Sequence, residues 1–354
     1  MLAPVDGSSS SPAPLAAWLD DPPTRLRLWG TESVFALPDV GEVLIGTAPD
    51  CSLRLDGAKV MPRHAAVARD GAGWCVRALG GPGVRVDGTW CSSAPLAPAC
   101  ELRVGRQTLV AESARSIELR DFLGRLLGWA AHGERLDLAL RALRAVAVRG
   151  APLRLCGGED LIPIARALHR RVLGDHRPFV LCAPPRRLAR GQAFGTAMHA
   201  IAAAIRGTLC VWARHLPADF AVVDAAVRHP DVAVRLVVCA ERPSESSAFA
   251  SMPVIVPAIA ERGAQLGRII DGYVHDAMIA LGARGELGPA DRAWIARRAA
   301  SSHGEIEEAA RRLIAVRHAG DFARAAALLA LPPAALTEWF ARRAGFTRDV
   351  STCH

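Results

Sequence analysis

The sequence predicts a multidomain chain with three successive fold types: an antiparallel β sandwich, an α/β region with a parallel sheet, and an all-helical region. Short apolar runs separated by Gly, Pro and Asp turns fill residues 24–112, a spacing typical of antiparallel sandwiches. Strand-like runs then alternate with helical segments over residues 116–285, which indicates a parallel sheet. From residue 286 onward only helical periodicity remains.

The composition is that of a globular protein. Of the 354 residues, 51% are hydrophobic and 22% are charged, and no apolar run approaches the roughly 18 residues that a membrane span requires. The nine cysteines form no CxxC pair and no cluster with metal-ligand spacing, so we expect reduced thiols, no metal and no cofactor. Residues 1–23, rich in Ser, Pro and Ala, predict a disordered leader without signal-peptide features, and we expect a cytoplasmic protein. The net charge of +8 is compatible with nucleic acid or acidic partners.

The β segment carries several motifs in a fixed order. Gly46 ends the run EVLIG, His64 lies in the run RHAA, Trp74 opens a strand, and VDG forms a turn at residues 86–88. With these motifs, residues 24–112 resemble a forkhead-associated (FHA) domain. The resemblance implies a β sandwich whose loops bind phosphothreonine peptides. It also implies that His64 holds one of those loops by hydrogen bonds.

The residues that would hold a phosphate differ from the FHA pattern. Where the family places arginine, serine and asparagine, this chain has Thr47, Met61 and Pro82. A phosphate dianion prefers charge-assisted donors, which methionine and proline lack. Three interpretations stay open: a phosphothreonine reader, a contact surface for an acidic or unmodified protein, and a mainly structural module. The candidate peptide-binding residues are Thr47, Arg54, Lys59, Arg63 and His64.

A second resemblance covers the α/β region. The segment PLRLCGGEDLIPIARALHRR, followed by RPFVLC, RGTLCVWARHLP and VRLVVCAERP, is similar in order and spacing to the AAA+ module of sigma-54-dependent activators. The resemblance implies a degenerate AAA+ domain over residues 116–285 and a helical, lid-like subdomain over residues 286–315. In that family a glycine loop with a lysine holds the ATP phosphates, and an Asp–Glu pair binds Mg²⁺ and activates water.

The residues that would perform this ATP chemistry have changed. The only lysine of the chain is Lys59, in the β segment, so a lysine-dependent phosphate loop is excluded. A Trp–Ala pair replaces the Asp–Glu pair, and two glutamates replace the sensor asparagine and an arginine that would face the γ-phosphate. We therefore predict a chain without ATPase activity, and we expect Arg262, which aligns with a ring arginine, to be exposed. The positions of this degenerate nucleotide site are Gly157, Gly158, Trp212, Ala213, Glu241 and Glu307.

The C-terminal segment resembles a Fis-type helix-turn-helix. The run HAGDFARAAALLALPPAALTEWFARRAGF carries this resemblance, which implies such a motif over residues 316–348. Its second helix would begin Pro-Pro-Ala-Ala, which offers a DNA major groove no hydrogen-bonding side chain. Arg324, Arg342 and Arg343 are the candidate contacts to a DNA backbone. DNA binding and a helical dimerisation or packing role are both left open.

Together these features predict a non-enzymatic bacterial signalling or transcription-regulatory protein. It would act through protein–protein contacts of its FHA-like domain and of a catalytically dead AAA+ scaffold, with a phosphorylated or acidic protein as partner. The alternative is an ATP-independent DNA-binding transcription factor that receives phosphothreonine-dependent input through the FHA domain. Oligomer formation is left open, and a residual ATPase ranks last.

Overall fold

The computed structural model describes residues 19, 21–71, 73–81, 83–129, 133–149, 151–158, 161–173, 176–182, 196–216, 219–227, 233–246, 249, 251–284 and 286–344. The chain divides into two compact units. The first contains Met1–Gly124, Ala130–Cys156 and Leu168–Ile255, and the second contains Arg125–Trp129, Gly157–Ala167 and Val256–His354.

Two β sheets face each other at the start of the first unit. The six-stranded sheet has the order β2-β1-β11-β10-β7-β8, and its strands are β1 (Arg25–Leu28), β2 (Val34–Ala36), β7 (Val84–Val86), β8 (Thr89–Cys91), β10 (Glu101–Val104) and β11 (Gln107–Glu112). The five-stranded sheet has the order β4-β3-β5-β6-β9, with β3 (Glu42–Gly46), β4 (Leu53–Arg54), β5 (Ala65–Asp70), β6 (Gly73–Ala78) and β9 (Ser93–Leu96). All neighbouring pairs are antiparallel except β3 and β4.

The core of this sandwich follows from the alternation of apolar and polar residues along each strand. On β1, Leu26 is buried in the core, whereas its neighbours Arg25 and Arg27 point to the opposite face. On β6, Trp74 and Val76 likewise point into the core, two residues apart. These inward-facing residues, together with Leu102 and the apolar residues of the other strands, form one cluster. The predicted antiparallel sandwich is confirmed.

Two helices follow the sandwich, α1 (Ala114–Leu127) and α2 (Glu134–Arg149). Helix α1 begins where Ser113 and Ser116 cap each other reciprocally. The Ser113 amide donates to the Ser116 hydroxyl oxygen at 2.7 Å, and the Ser116 amide donates to the Ser113 hydroxyl oxygen at 3.2 Å. The helix ends at Gly128, whose φ of +66° gives the left-handed conformation common after a helix.

A parallel sheet completes the first unit. Its strands are β12 (Leu153–Cys156), β13 (Phe179–Cys182), β14 (Thr208–Trp212), β15 (Arg235–Ala240) and β16 (Pro253–Ile255), in the order β13-β14-β15-β12-β16. Except for β16, these strands are almost entirely buried, as expected when both faces of a parallel sheet are covered. Helices α4 (Ala197–Ala203) and α5 (Phe220–Val227) share a core cluster with β13, β14 and β15. The predicted parallel sheet is confirmed.

The second unit is helical. Helix α3 (Ile162–Leu173) begins in this unit and ends in the first, and the remaining helices are α6 (Leu266–Leu281), α7 (Pro289–Arg298), α8 (His303–Ala319), α9 (Phe322–Leu328) and α10 (Pro333–Ala344). Helix α8 begins with a Ser302 side-chain cap and ends at Gly320 with φ +76°. The predicted C-terminal helices are thus present, whereas their AAA+ and helix-turn-helix character stays a prediction.

No helix in the described part of the chain is long and apolar enough to cross a bilayer.

Candidate functional site

Three connections meet at one end of the sandwich. In the five-stranded sheet, Ile45 near the end of β3 lies opposite Ala65 at the start of β5, which in turn lies opposite Ala78 at the end of β6. The β3–β4, β4–β5 and β6–β7 connections therefore leave the sheet at the same edge. We call the described residues of these connections, 47–52, 55–64, 79–81 and 83, the loop end.

Gly46 allows two of these connections to approach each other closely. A Cβ atom on Gly46 would lie 2.1 Å from the carbonyl oxygen of Pro62, so no side chain fits there. Immediately after it, the Thr47 amide donates to the Met61 carbonyl at 3.1 Å, and the Ala48 amide donates to the Pro62 carbonyl at 2.9 Å. The glycine of the FHA-like motif is therefore explained by backbone packing, independently of any ligand.

His64 holds the same connections from inside. Its side chain is buried, and its Nδ1 accepts a hydrogen bond from the Met61 amide at 3.2 Å. The His64 carbonyl accepts from the Leu79 amide at 2.9 Å, which brings in the β6–β7 connection. Burial lowers the pKa of His64, and a hydrogen bond with the Gly83 backbone opposes this only in part. The predicted loop-holding role of His64 is confirmed.

The surface of the loop end exposes two apolar side chains and carries an ion pair. Met61 is 42% exposed and Leu79 is 36% exposed. Arg63 forms an ion pair with Asp50, and the Arg63 guanidinium holds the pKa of Asp50 below its ordinary value. Sequence reasoning missed Asp50 and Leu79, although the proximity of TAPDC to the Gly46 motif, and of Leu79 to two glycines, was the available signal.

The other predicted residues of the loop end differ in their surroundings. Thr47, half-buried, joins Met61 through its backbone. Arg54 lies on β4 and is paired with Asp56 at 3.7 Å. Lys59 is exposed with φ +67°, and its backbone packs beside Gly105. Among the described contacts, none joins the Arg54 or Lys59 side chain to Met61 or His64. Pro82 lies outside the described residues.

In the first unit, three positions of the degenerate nucleotide site lie at the carboxyl edge of the parallel sheet. Trp212 ends β14, Ala213 follows it, and Glu241 follows the neighbouring strand β15. Arg214 forms an ion pair with Glu241 and lies over the Trp212 ring at 5.9 Å from its centroid. Among the described residues, the Glu241 carboxylate at this edge therefore already has an arginine partner.

The other three positions lie in the second unit. A Cβ atom on Gly157 would approach the Val256 carbonyl oxygen to 2.4 Å, whereas one on Gly158 would meet nothing within 4 Å. Packing against Val256 therefore accounts for Gly157 without a phosphate. Glu307 is buried in α8 and lies 3.8 Å from the guanidinium of Arg166.

Arg262 differs from the sequence prediction. We expected an exposed arginine, but only 3% of Arg262 is exposed, so that prediction was wrong. Its guanidinium donates to the carbonyl oxygens of Pro257 and Leu127. Because these acceptors satisfy the buried charge by hydrogen bonds, Arg262 is a structural residue of the second unit.

The predicted DNA contacts lie on the last two helices. Helices α9 and α10 pack through a small cluster that includes Ala325, Ala326 and Leu336. The side chain of Arg324 is 81% exposed and lies 3.4 Å from Asp321, and that of Arg342 is 79% exposed and lies 3.8 Å from Glu338. Arg343 belongs to α10, but its side chain lies outside what the structure describes.

Comparison with known proteins identifies the sandwich. Residues 43–105 match the sequence profile of the FHA domain, so the chain contains an FHA domain and the first resemblance is confirmed. Among curated protein sequences, none matches this chain.

Similar solved structures cover about a quarter of the chain. The FHA domain of the CT664 protein from Chlamydia trachomatis is 17% identical, with 25% of this chain and 95% of that chain covered and a TM-score of 0.24. The FhaA FHA domain complexed with the intracellular domain of Rv3910 is 25% identical, with 24% and 96% covered and a TM-score of 0.23. Mycobacterium tuberculosis EmbR in complex with a low-affinity phosphopeptide is 21% identical, with 25% and 24% covered and a TM-score of 0.24.

Proposed function

We propose that this chain, which contains an FHA domain, is a non-enzymatic regulatory protein whose loop end binds a partner protein without requiring phosphothreonine. One observation carries the proposal. The loop end keeps the FHA backbone framework around Gly46 and His64, but it presents exposed Met61 and an Arg63 whose charge is already paired with Asp50.

The chemistry of the loop end favours an unmodified partner over a phosphorylated one. A phosphate dianion is held by charge-assisted hydrogen bonds from arginine or by several neutral donors. At the aligned positions the chain offers the Thr47 hydroxyl and the Met61 thioether, and only the first can donate. Exposed methionine instead suits an apolar side chain of a partner, because its flexible thioether adapts to different shapes.

The same proposal holds that the chain does not hydrolyse ATP and that its α/β region serves as a scaffold in signalling or transcription regulation. The support comes from the residues that the chain offers to a nucleotide and its Mg²⁺. The only lysine is Lys59 in the FHA domain, and Trp212 and Ala213 stand where Mg²⁺ and water would need carboxylates.

A second candidate function is ATP-independent DNA binding through α9 and α10. It is favoured by the exposure of the Arg324 and Arg342 side chains. If it holds, a gel-shift titration of the full chain shows a complex that weakens with salt, and Arg324→Ala with Arg342→Ala weakens it for all DNA sequences alike. The absence of a complex at low salt removes this candidate.

Partner capture from the native cell tests the first candidate. A tagged full chain is mixed with lysate, half of it treated with phosphatase, and bound proteins are quantified by mass spectrometry. The site variant is Met61→Glu. Its matched control is Val40→Glu, because Val40 is 86% exposed and precedes β3, at the opposite end of that strand from Gly46.

We expect phosphatase treatment to leave the captured partner unchanged, Met61→Glu to lose it, and Val40→Glu to retain it. Capture that disappears after phosphatase treatment identifies a phosphothreonine reader instead. Equal capture by both variants places the binding surface elsewhere.

A further inference from the structure

Three residues form a row across the outer face of the six-stranded sheet. Arg103 on β10 lies opposite Arg85 on β7, and Arg85 lies opposite Trp90 on β8. Directly opposed residues of antiparallel strands point to the same face. Their chain neighbours Val84 and Leu102 belong to the core, so this row faces outward. We call Trp90, Arg85 and Arg103 the arginine row.

The two arginines of this row lie directly opposite each other, and no carboxylate among the described residues is paired with either. Like charges directly opposite each other weaken a sheet. Within the described part of the chain neither one forms an ion pair, and each donates from Nε only to a nearby carbonyl, that of Gly88 for Arg85 and that of Gly105 for Arg103. Other arginines near the sandwich do have carboxylate partners, namely Arg25, Arg27, Arg54, Arg63, Arg77, Arg141 and Arg144.

The row includes an exposed aromatic side chain, and a third exposed cation lies in a turn of the same sheet. Trp90 is 57% exposed and lies on β8, which is an edge strand of the sheet. Arg106, in the turn between β10 and β11, is also exposed. The row itself therefore combines two guanidinium groups without ion-pair partners among the described residues and a flat apolar ring on an edge strand.

We propose that the arginine row binds an extended acidic segment of a partner protein. Carboxylates on such a segment would neutralise the opposed charges of Arg85 and Arg103 through bidentate hydrogen bonds. Same-face side chains of an extended segment are about 7 Å apart, whereas neighbouring strands are about 5 Å apart. The long arginine side chains can span this difference. The ring of Trp90 covers the apolar side of the segment.

This inference uses different residues from the loop end and does not rest on the function proposed there. It is tested by fluorescence anisotropy of the full chain with a labelled ten-residue peptide of alternating Glu and Val. The reference peptide has Gln in place of Glu. Two variants alter the row. One is the double variant Arg85→Glu with Arg103→Glu, and the other is Trp90→Ala, which should fold because Trp90 is exposed on an edge strand.

A charge-matched control is available in the same compact unit. Arg77 and Arg171 have side chains 60% and 40% exposed and are paired with carboxylates, so Arg77→Glu with Arg171→Glu changes the net charge equally. We expect the Glu peptide to bind and the Gln peptide not to bind. The row double variant should weaken binding about tenfold, and the control double variant less than about twofold.

Equal weakening by both double variants overturns the proposal, because the peptide is then attracted by net charge alone. No weakening by either variant also overturns it, because the row then does not bind the peptide. Undiminished binding by Trp90→Ala removes the aromatic contact from it. Competition with single-stranded DNA of the same formal charge distinguishes a nucleic-acid ligand from an acidic protein segment. If DNA binds more tightly than the peptide, and the row double variant no longer binds DNA, the row is a nucleic-acid site. That result contradicts an acidic protein partner.

Discussion

Arg27 and Asp137 form a fully buried ion pair between residues 110 positions apart in the chain. Arg27 Nη1 donates to Asp137 Oδ2 at 3.1 Å, while Arg27 Nε donates to Glu112 Oε1 at 2.7 Å. Burial alone would lower the pKa of Arg27, but the hydrogen bonds of Asp137 and Glu112 raise it above its ordinary value. The pair joins β1 of the FHA domain to α2 within one compact unit, so the sandwich has more than its own core to stabilise it.

Removal of one partner should therefore be costly. We expect Asp137→Ala to lower the free energy of unfolding by about 2–3 kcal/mol, because it removes one of the two carboxylates that neutralise the buried Arg27 charge and leaves only Glu112. Arg141→Ala is the control, since its ion pair with Glu101 is partly exposed and should contribute less than about 1 kcal/mol. Urea unfolding of both full-length variants provides the measurement. Similar losses of unfolding free energy in the two variants would contradict a larger contribution from the buried ion pair.

The close approach at Gly46 gives a second prediction. Gly46→Ala places a Cβ 2.1 Å from the Pro62 carbonyl oxygen, so the β4–β5 connection must move. We expect a loss of about 2–4 kcal/mol in stability together with loss of partner capture. Gly73→Ala, on the same sheet with open space around it, should cost less than about 1 kcal/mol. Normal stability and capture in Gly46→Ala would show that the loop end does not depend on this approach.

His303 predicts a pH dependence in the second unit. Burial, and secondarily the charge of Arg262, lower the pKa of this histidine to about 3, and its Nδ1 lies 3.1 Å from the Tyr273 hydroxyl. Because the unfolded chain takes up a proton near pH 6.5 and the folded chain does not, stability should fall as the pH decreases from about 6.5 toward 3.

Hydrogen exchange of α6 and α8 measures this effect. Their protection should decrease on acidification in the wild type, and His303→Gln should flatten the decrease between about pH 6.5 and 4. His275→Gln, which alters an exposed histidine of α6, should leave the slope unchanged. A slope that is the same in His303→Gln as in the wild type contradicts the buried neutral state.

The degenerate nucleotide site gives a negative prediction. We expect no saturable heat when ATP and Mg²⁺ are titrated into the full chain, because no lysine lies near the glycine turn and the carboxylate pair is absent. Gly158→Val is the informative variant, since a Cβ there meets nothing within 4 Å and the fold should tolerate it. ATP binding in the wild type that disappears in Gly158→Val would restore a nucleotide role.

The sequence allowed the strands and the general location of the loop end to be predicted, because both depend on local patterns. Alternation placed Leu26 and Trp74 in the core, and the FHA-like motifs placed Gly46 and His64 together. The arginine row could not be predicted, because the pairing of Arg85 with Arg103 is a matter of strand register between distant segments.

The burial of charged residues could not be predicted from the sequence either. An arginine is usually exposed, and nothing local distinguishes Arg27 or Arg262 from the many exposed arginines of this chain. Their burial depends on acceptors far away in sequence, such as Asp137 for Arg27 and the Leu127 carbonyl for Arg262. Only the folded chain brings such partners together.

The preference of the loop end for phosphothreonine or for an unmodified segment is the most direct test of the account. Paired peptide libraries with a central threonine, phosphorylated in one and plain in the other, are screened against the full chain. An FHA domain with arginine and serine at the positions of Thr47 and Met61 is the positive control. We expect no selection for phosphothreonine by the wild type and a gain of selection by Thr47→Arg with Met61→Ser. Clear selection for phosphothreonine by the wild type would contradict the account.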